Sequence, residues 1–212
     1  MSLRVGLRSM ARPPGKKKVV TTLLSDNFEA FPTGWTTGTG GTGSITKSST
    51  QAHGGTYSAG VYSPVDSALA YAYRGVTRTP GTLVYDVWVW VDSSVKPSLA
   101  NYLIEMYDTV TPNLVFDLGY RWNVDHFEAR TMPTPTTYVV VGTLASGQWV
   151  HIVATVNQST GKADVWFDDV YQGQFTIRGG TTAQTNRLYF GDTSTGGQSA
   201  FFYYDDLLLT VG

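Results

Sequence analysis

A chain of 212 residues carrying 13 Tyr, 9 Phe and 6 Trp beside 23 Gly and 9 Pro has the aromatic, turn-rich make-up of one large β domain with a real core. Its lack of cysteine excludes a disulfide framework, a thiolate nucleophile and a zinc-thiolate site, and no apolar run approaches the ~18 residues of a membrane span. The formal charge of −1 hides a division: Arg4, Arg8, Arg12, Lys16, Lys17 and Lys18 precede the first acid, Asp26, and the other nine cations face all sixteen acids.

Residues 1–24 read as a basic N-terminal arm and residues 25–212 as the folded domain. The arm has no apolar segment followed by a small-residue cleavage site, so a secretory signal is not expected. Arg4, Arg8 and Arg12 recur every four residues, a spacing that aligns them along one side of a short helix. Pro13, Pro14 and the Lys16–Lys18 run suit a hinge and a charged strap. Such an arm is expected to bind another protein or a neighbouring copy. Nucleic acid is not expected, because the body is acidic and shows no stacking platform flanked by cations.

From Ser25 onward, apolar alternation of period two is broken by turn signals every 8 to 12 residues, the pattern of successive antiparallel strands. Gly34–Gly43 reads as a Gly/Thr loop with no following helix, which rules against a phosphate-binding turn. Strands are expected near 57–62 and 68–74, and then over Thr82–Val91. There Leu83, Tyr85, Val87, Val89 and Val91 alternate with Val84, Asp86, Trp88 and Trp90, which marks a central strand. Further strands are expected at 101–108 and over Leu114–Asn123. In the latter Leu114, Phe116, Leu118, Tyr120 and Trp122 face inward, and Val115, Asp117, Gly119, Arg121 and Asn123 outward. Strands at 126–130 and 137–143 follow. Trp149–Asn157 and Lys162–Phe167 form a hairpin around Gln158–Gly161. Phe175–Ile177, Arg187–Phe190 and Phe201–Val211 close the series, and no strand-helix alternation points to a parallel sheet.

Gly147, Trp149 and His151 before the strand-turn-strand to Trp166, with Arg187-Leu-Tyr-Phe-Gly191 and Phe201-Phe-Tyr-Tyr-Asp-Asp-Leu-Leu-Leu209, resemble the concanavalin A-like lectin and laminin-G-like superfamily. Asp26-Asn-Phe-Glu29 with Gly34-Trp35 and Ala52-His-Gly-Gly-Thr-Tyr-Ser58 resembles the opening of jelly-roll carbohydrate-binding modules. The resemblance implies an all-β antiparallel jelly-roll sandwich, here with an extended arm. It also implies a structural calcium tying the opening strand to the closing one, with Asp26, Glu29, Asp205 and Asp206 as candidate ligands among the ~6 to 8 oxygens calcium requires.

A glycan site needs aromatic faces beside groups that bond hydroxyls. Asp86, Trp88 and Trp90 on one central strand, with Asp117 and Arg121 on another, are the candidates. Their competing role is packing, the commoner fate of large aromatics. Catalysis is not expected: none of Glu29, Glu105 and Glu128 has a second acid two residues away, and no Gly-x-Ser-x-Gly elbow occurs. His53, His126 and His151 read as structural. The expectation is thus a non-enzymatic interaction protein, specifically a capsid-decoration or tail protein on a virion surface, self-associating and anchored by its arm. The alternative is an extracellular, calcium-stabilised carbohydrate-binding module.

Overall fold

A computed structural model describes residues 20–64, 68–92, 101–111, 113–121, 126–131, 137–143, 146–193 and 200–212. The six cations of the arm lie outside the described residues. Those residues form strands and turns, with no helix. In chain order the strands are β1 (Thr21–Asp26), β2 (Thr36–Gly40), β3 (Ser44–Ser48), β4 (Ser58–Ser63), β5 (Leu69–Gly75), β6 (Thr82–Val91), β7 (Asn101–Asp108), β8 (Asn113–Arg121), β9 (His126–Thr131), β10 (Thr137–Thr143), β11 (Trp149–Asn157), β12 (Lys162–Phe167), β13 (Val170–Thr176), β14 (Arg187–Asp192) and β15 (Ala200–Val211).

Two antiparallel sheets face each other. The first runs β13-β12-β11-β6-β15-β4-β3 with β1 also on β15, and the second β10-β9-β8-β7-β14-β5-β2. Strict alternation makes this possible: Leu83, Tyr85, Val87 and Val89 of β6 and Val150, Ile152, Ala154 and Val156 of β11 are buried, and so are Ala70, Ala72, Ile104, Met106, Leu188 and Phe190 of the second sheet. The layer between the sheets is the core. The all-β jelly-roll sandwich expected from the sequence is the architecture observed, and the hairpin joining β11 to β12 has the expected register, Asn157 opposite Lys162.

Four details differ from the sequence reading. The sandwich begins at Thr21 rather than Ser25, because β1 pairs with β15 from Thr21 opposite Val211 and Leu24 enters the core. Thr36–Gly40, expected as loop, is a strand on β5; its glycines weaken strand propensity, but Gly38 leaves the space that the Tyr71 ring fills, since a Cβ there would lie 2.3 Å from Tyr71 Cζ. The strand expected at Phe175 begins at Val170, after a tight turn in which Asp168 and Asp169 both have positive φ (47° and 65°); that geometry usually recruits Asn or Gly, so Asp-Asp gave little signal. Opposite Met106 and Tyr107 of β7, a register shift in β8 puts Leu114 opposite Tyr107 and brings Val115, expected to face outward, into the core beside the buried Leu114.

The ends of the site-bearing strands are fixed by two packed clusters. Phe190 of β14 is fully buried and meets the rings of Phe28 (5.4 Å), Phe31 (6.0 Å), Trp35 (4.9 Å) and Tyr204 (4.7 Å). Asp26 holds the segment that supplies three of those rings, accepting from Phe28 N–H and Trp35 Nε1–H, each at 2.7 Å. At the other end of β14, buried Asp108 accepts from Arg78 Nη2 (2.8 Å), Gln184 N–H (3.0 Å), Val110 N–H (3.0 Å) and Thr111 Oγ1 (2.8 Å). Burial alone would raise the Asp108 pKa, but these donors outweigh it and hold the carboxyl well below the usual range.

Candidate functional site

The outer face of the second sheet gathers groups that the inner face does not need. On β5 the small Ala70 and Ala72 point into the core, so Tyr71 and Tyr73 point out; on β14 Leu188 and Phe190 point in, so Arg187 and Tyr189 point out. Register then lines up one cross-strand row: Thr36, Tyr73, Tyr189, Glu105 and Asp117 are successive partners across β2, β5, β14, β7 and β8.

Tyr189 is the hub of this face. Its ring lies 5.1 Å from Tyr73, 6.0 Å from Tyr71 and 6.5 Å from Tyr107. Arg187 places its guanidinium 4.7 Å over the Tyr73 ring and donates from Nη1 to the Tyr189 oxygen at 3.1 Å. That hydrogen bond, the main cause, raises the Arg187 pKa further and keeps the cation fixed among tyrosine rings. Glu105, the next residue of the row, accepts from Thr193 Oγ1 at 2.8 Å. Asp117 opposite it and Glu128, paired with Gly119, are buried, at 1% and 7% exposure. A cation, phenol hydroxyls and the Glu105 carboxylate thus share one aromatic surface, which can hold a polyhydroxylated ligand and move a proton on it.

The residues singled out from the sequence are divided between opposite sides of the molecule. Asp117 and Arg121 belong to β8 of the second sheet, and Arg121 is described only in its backbone, opposite His126. Asp86, Trp88 and Trp90 belong to β6 of the first sheet, whose outer face looks the other way, so the two sets make no common groove. Trp88 is packed rather than open: His53 stacks on it at 3.7 Å and His151 at 4.8 Å. Asp86 meets His151 Nε2 at 2.7 Å, and Trp90 sits edge-on to Trp149 at 6.0 Å.

The four candidate calcium ligands do tie the opening and closing strands to the loop between β3 and β4, through hydrogen bonds. Glu29 Oε1 accepts from Thr56 N–H (2.6 Å) and Tyr57 N–H (2.9 Å), bonds to Tyr57 and Thr56 that lower its pKa. Asp205 Oδ2 accepts from His53 N–H (2.8 Å) and Gly54 N–H (3.0 Å), and Oδ1 from Asp206 N–H (2.9 Å). Asp206 Oδ2 meets His53 Nδ1 at 2.9 Å, and Asp26 is used as described above. N–H donors occupy lone pairs that a cation would need. Among the described residues no group of three or more His, Asp or Glu is placed to hold a metal. In this arrangement the carboxylates act as hydrogen-bond acceptors that pin the segment from His53 to Tyr57.

No family model matches the chain, and no curated protein is detectably similar in sequence. Solved structures are similar in shape. The cellulose-induced protein Cip1 superposes with a TM-score of 0.66 at 14% identity, over 88% of this chain and 96% of its own. The endo-β-1,4-glucuronan lyase of the fungus Trichoderma reesei gives 0.63 at 11% identity, over 85% of this chain and 92% of its own. The shared fold is an antiparallel jelly-roll β-sandwich. A conserved carbohydrate esterase of the Shiga toxin-encoding bacteriophage phi24B also shares it, with a TM-score of 0.63 at 13% identity over 92% of this chain and the whole of its own.

These comparisons correct the expectation of a non-enzymatic chain. A lyase and an esterase carry the same sandwich over nearly their full lengths, so the fold gives no ground for excluding catalysis. Acids two apart on one strand are also not the only way to bring carboxylates together: sheet register sets Glu105 opposite Asp117 on neighbouring strands. Tyr71, Tyr73, Tyr107, Tyr189 and Arg187 were missed as a group. The available signal was Leu69-Ala-Tyr-Ala-Tyr73, where alanine fills the inner face and tyrosine is left for the outer one. Among the described residues no helix is long and apolar enough to cross a membrane.

Proposed function

We propose that this chain is a carbohydrate-active protein that lays a polysaccharide across β5, β14, β7 and β8, with Tyr189 and Arg187 at the working centre. The observation that carries the reading is the Arg187–Tyr189 hydrogen bond inside a cluster of outward tyrosines. Neighbouring strands are ~4.8 Å apart, so the row from Tyr73 to Asp117 spans about 14 Å, room for a short run of sugar rings. Tyrosine rings offer stacking area with a polar edge, and the fixed guanidinium offers planar, two-pronged recognition of a carboxylate. A uronate polymer matches both features.

With a uronate in place, Arg187 neutralises the sugar carboxylate and so stabilises the carbanion that forms when the adjacent C–H loses its proton. Tyr189, held at the guanidinium, is placed to take that proton at its oxygen and give its own to the glycosidic oxygen, whose C–O bond breaks as the carbon–carbon double bond forms. The glucuronan lyase among the similar structures supports this reaction class. A virion setting, with arm residues Arg4, Arg8, Arg12, Lys16, Lys17 and Lys18 as anchor to other proteins, stays part of the proposal on the likeness to the bacteriophage esterase.

The test is a panel of acidic and neutral polysaccharides incubated with the full chain, read by binding and by the ultraviolet absorbance of unsaturated uronate ends. The expected result is binding of at least one polyuronate with release of unsaturated oligosaccharides. Failure to bind any polyuronate would reject the reading.

A further inference from the structure

The hairpin β12–β13, at the edge of the first sheet, carries a second group of rings and planar polar side chains away from the face just described. Trp166 stands opposite Tyr171, with ring centroids 5.4 Å apart at 50°. Tyr171 is 53% exposed, on the strand that ends the first sheet among the described residues. Its position is nonetheless fixed. The hydroxyl donates to Asp164 Oδ1 at 2.9 Å, and Gln174 Nε2 donates to both Asp164 oxygens at 3.1 and 3.4 Å. A ring already held in place loses little freedom when a ligand stacks on it.

Charge selects the ligand. The hairpin holds Asp164 on its strand and Asp168 and Asp169 in its turn, against one cation, Lys162. Lys162 is engaged with Thr176 Oγ1 at 2.7 Å. A polyanion is repelled here, in contrast to the Arg187 face, while a neutral sugar finds two rings for its C–H faces and a carboxylate and amide for its hydroxyls. We propose that the β12–β13 hairpin is a second binding surface, specific for a neutral polysaccharide and independent of the polyuronate reading of the second sheet.

Affinity electrophoresis of the full chain through gels containing a soluble neutral β-glucan, xylan or a polyuronate tests this. Retardation by at least one neutral polymer is expected, with Tyr171→Ala weakening it by about tenfold or more and Tyr189→Phe leaving it unchanged. Tyr171→Ala should keep the wild-type melting temperature, because the ring is exposed, and Trp166→Phe serves as the milder second variant. Polyuronate retardation reports separately on the other face. The proposal is overturned if no neutral polymer retards the wild type, or if Tyr171→Ala binds equally well. It is also overturned if Tyr171→Ala only dissociates a dimer in light scattering, which would make the edge a self-association surface.

Discussion

Replacing Arg187 by alanine is expected to lower kcat/KM on a polyuronate by about 10²–10³-fold, the usual cost of removing one donor aimed at developing negative charge. Arg187→Lys should recover little, because a point charge cannot reproduce the planar contact with Tyr73 and the directed bond to Tyr189. Tyr189→Phe isolates the hydroxyl from the ring. It should lower kcat with little change in KM if the hydroxyl acts on the proton, and raise KM with kcat unchanged if the residue only grips. Both side chains lie on the outer face, so all three variants should unfold near the wild-type temperature. Wild-type kcat/KM in Arg187→Ala would remove the residue from the centre.

Phe190→Ala is expected to cost about 3–5 kcal/mol of stability, the range for deleting a buried aromatic ring. The value should fall at the upper end, since four rings from the opening segment and β15 converge on Phe190 and each such pair adds ~0.5–1.5 kcal/mol beyond burial. Because Phe190 follows Tyr189 in the same strand, the variant should also blunt binding before it unfolds. The midpoint of urea unfolding measures the first effect. A loss below about 1 kcal/mol would mean that the opening segment is not anchored through this ring.

The fold was legible because period-two alternation is strong where one face is buried: β6, β11 and β12 carry an unbroken buried series at every second residue. It failed where local geometry overrode pattern. The β8 bulge brings Val115 into the core as well as Leu114, and the Asp168–Asp169 turn uses residues without the usual signature. The candidate site was much less legible. Conspicuous tryptophans drew attention to Trp88 and Trp90, yet Trp88 is covered by two imidazoles. The second-sheet row comes from five different strands, and only sheet register, which no single segment encodes, brings it together. The acids near both chain ends, Glu29 and Asp205, accept N–H bonds from one loop, a role that depends on the fold and not on any local pattern.

Hydrogen–deuterium exchange of the full chain, with and without a bound polyuronate, tests the placement of the ligand most directly. Slowed exchange is expected in 69–75, 103–108 and 187–192, the strands that carry Tyr73, Glu105 and Tyr189, with 82–91 and 149–157 unchanged. Protection confined to 82–91 and 149–157 would put the ligand on the opposite sheet and contradict the account.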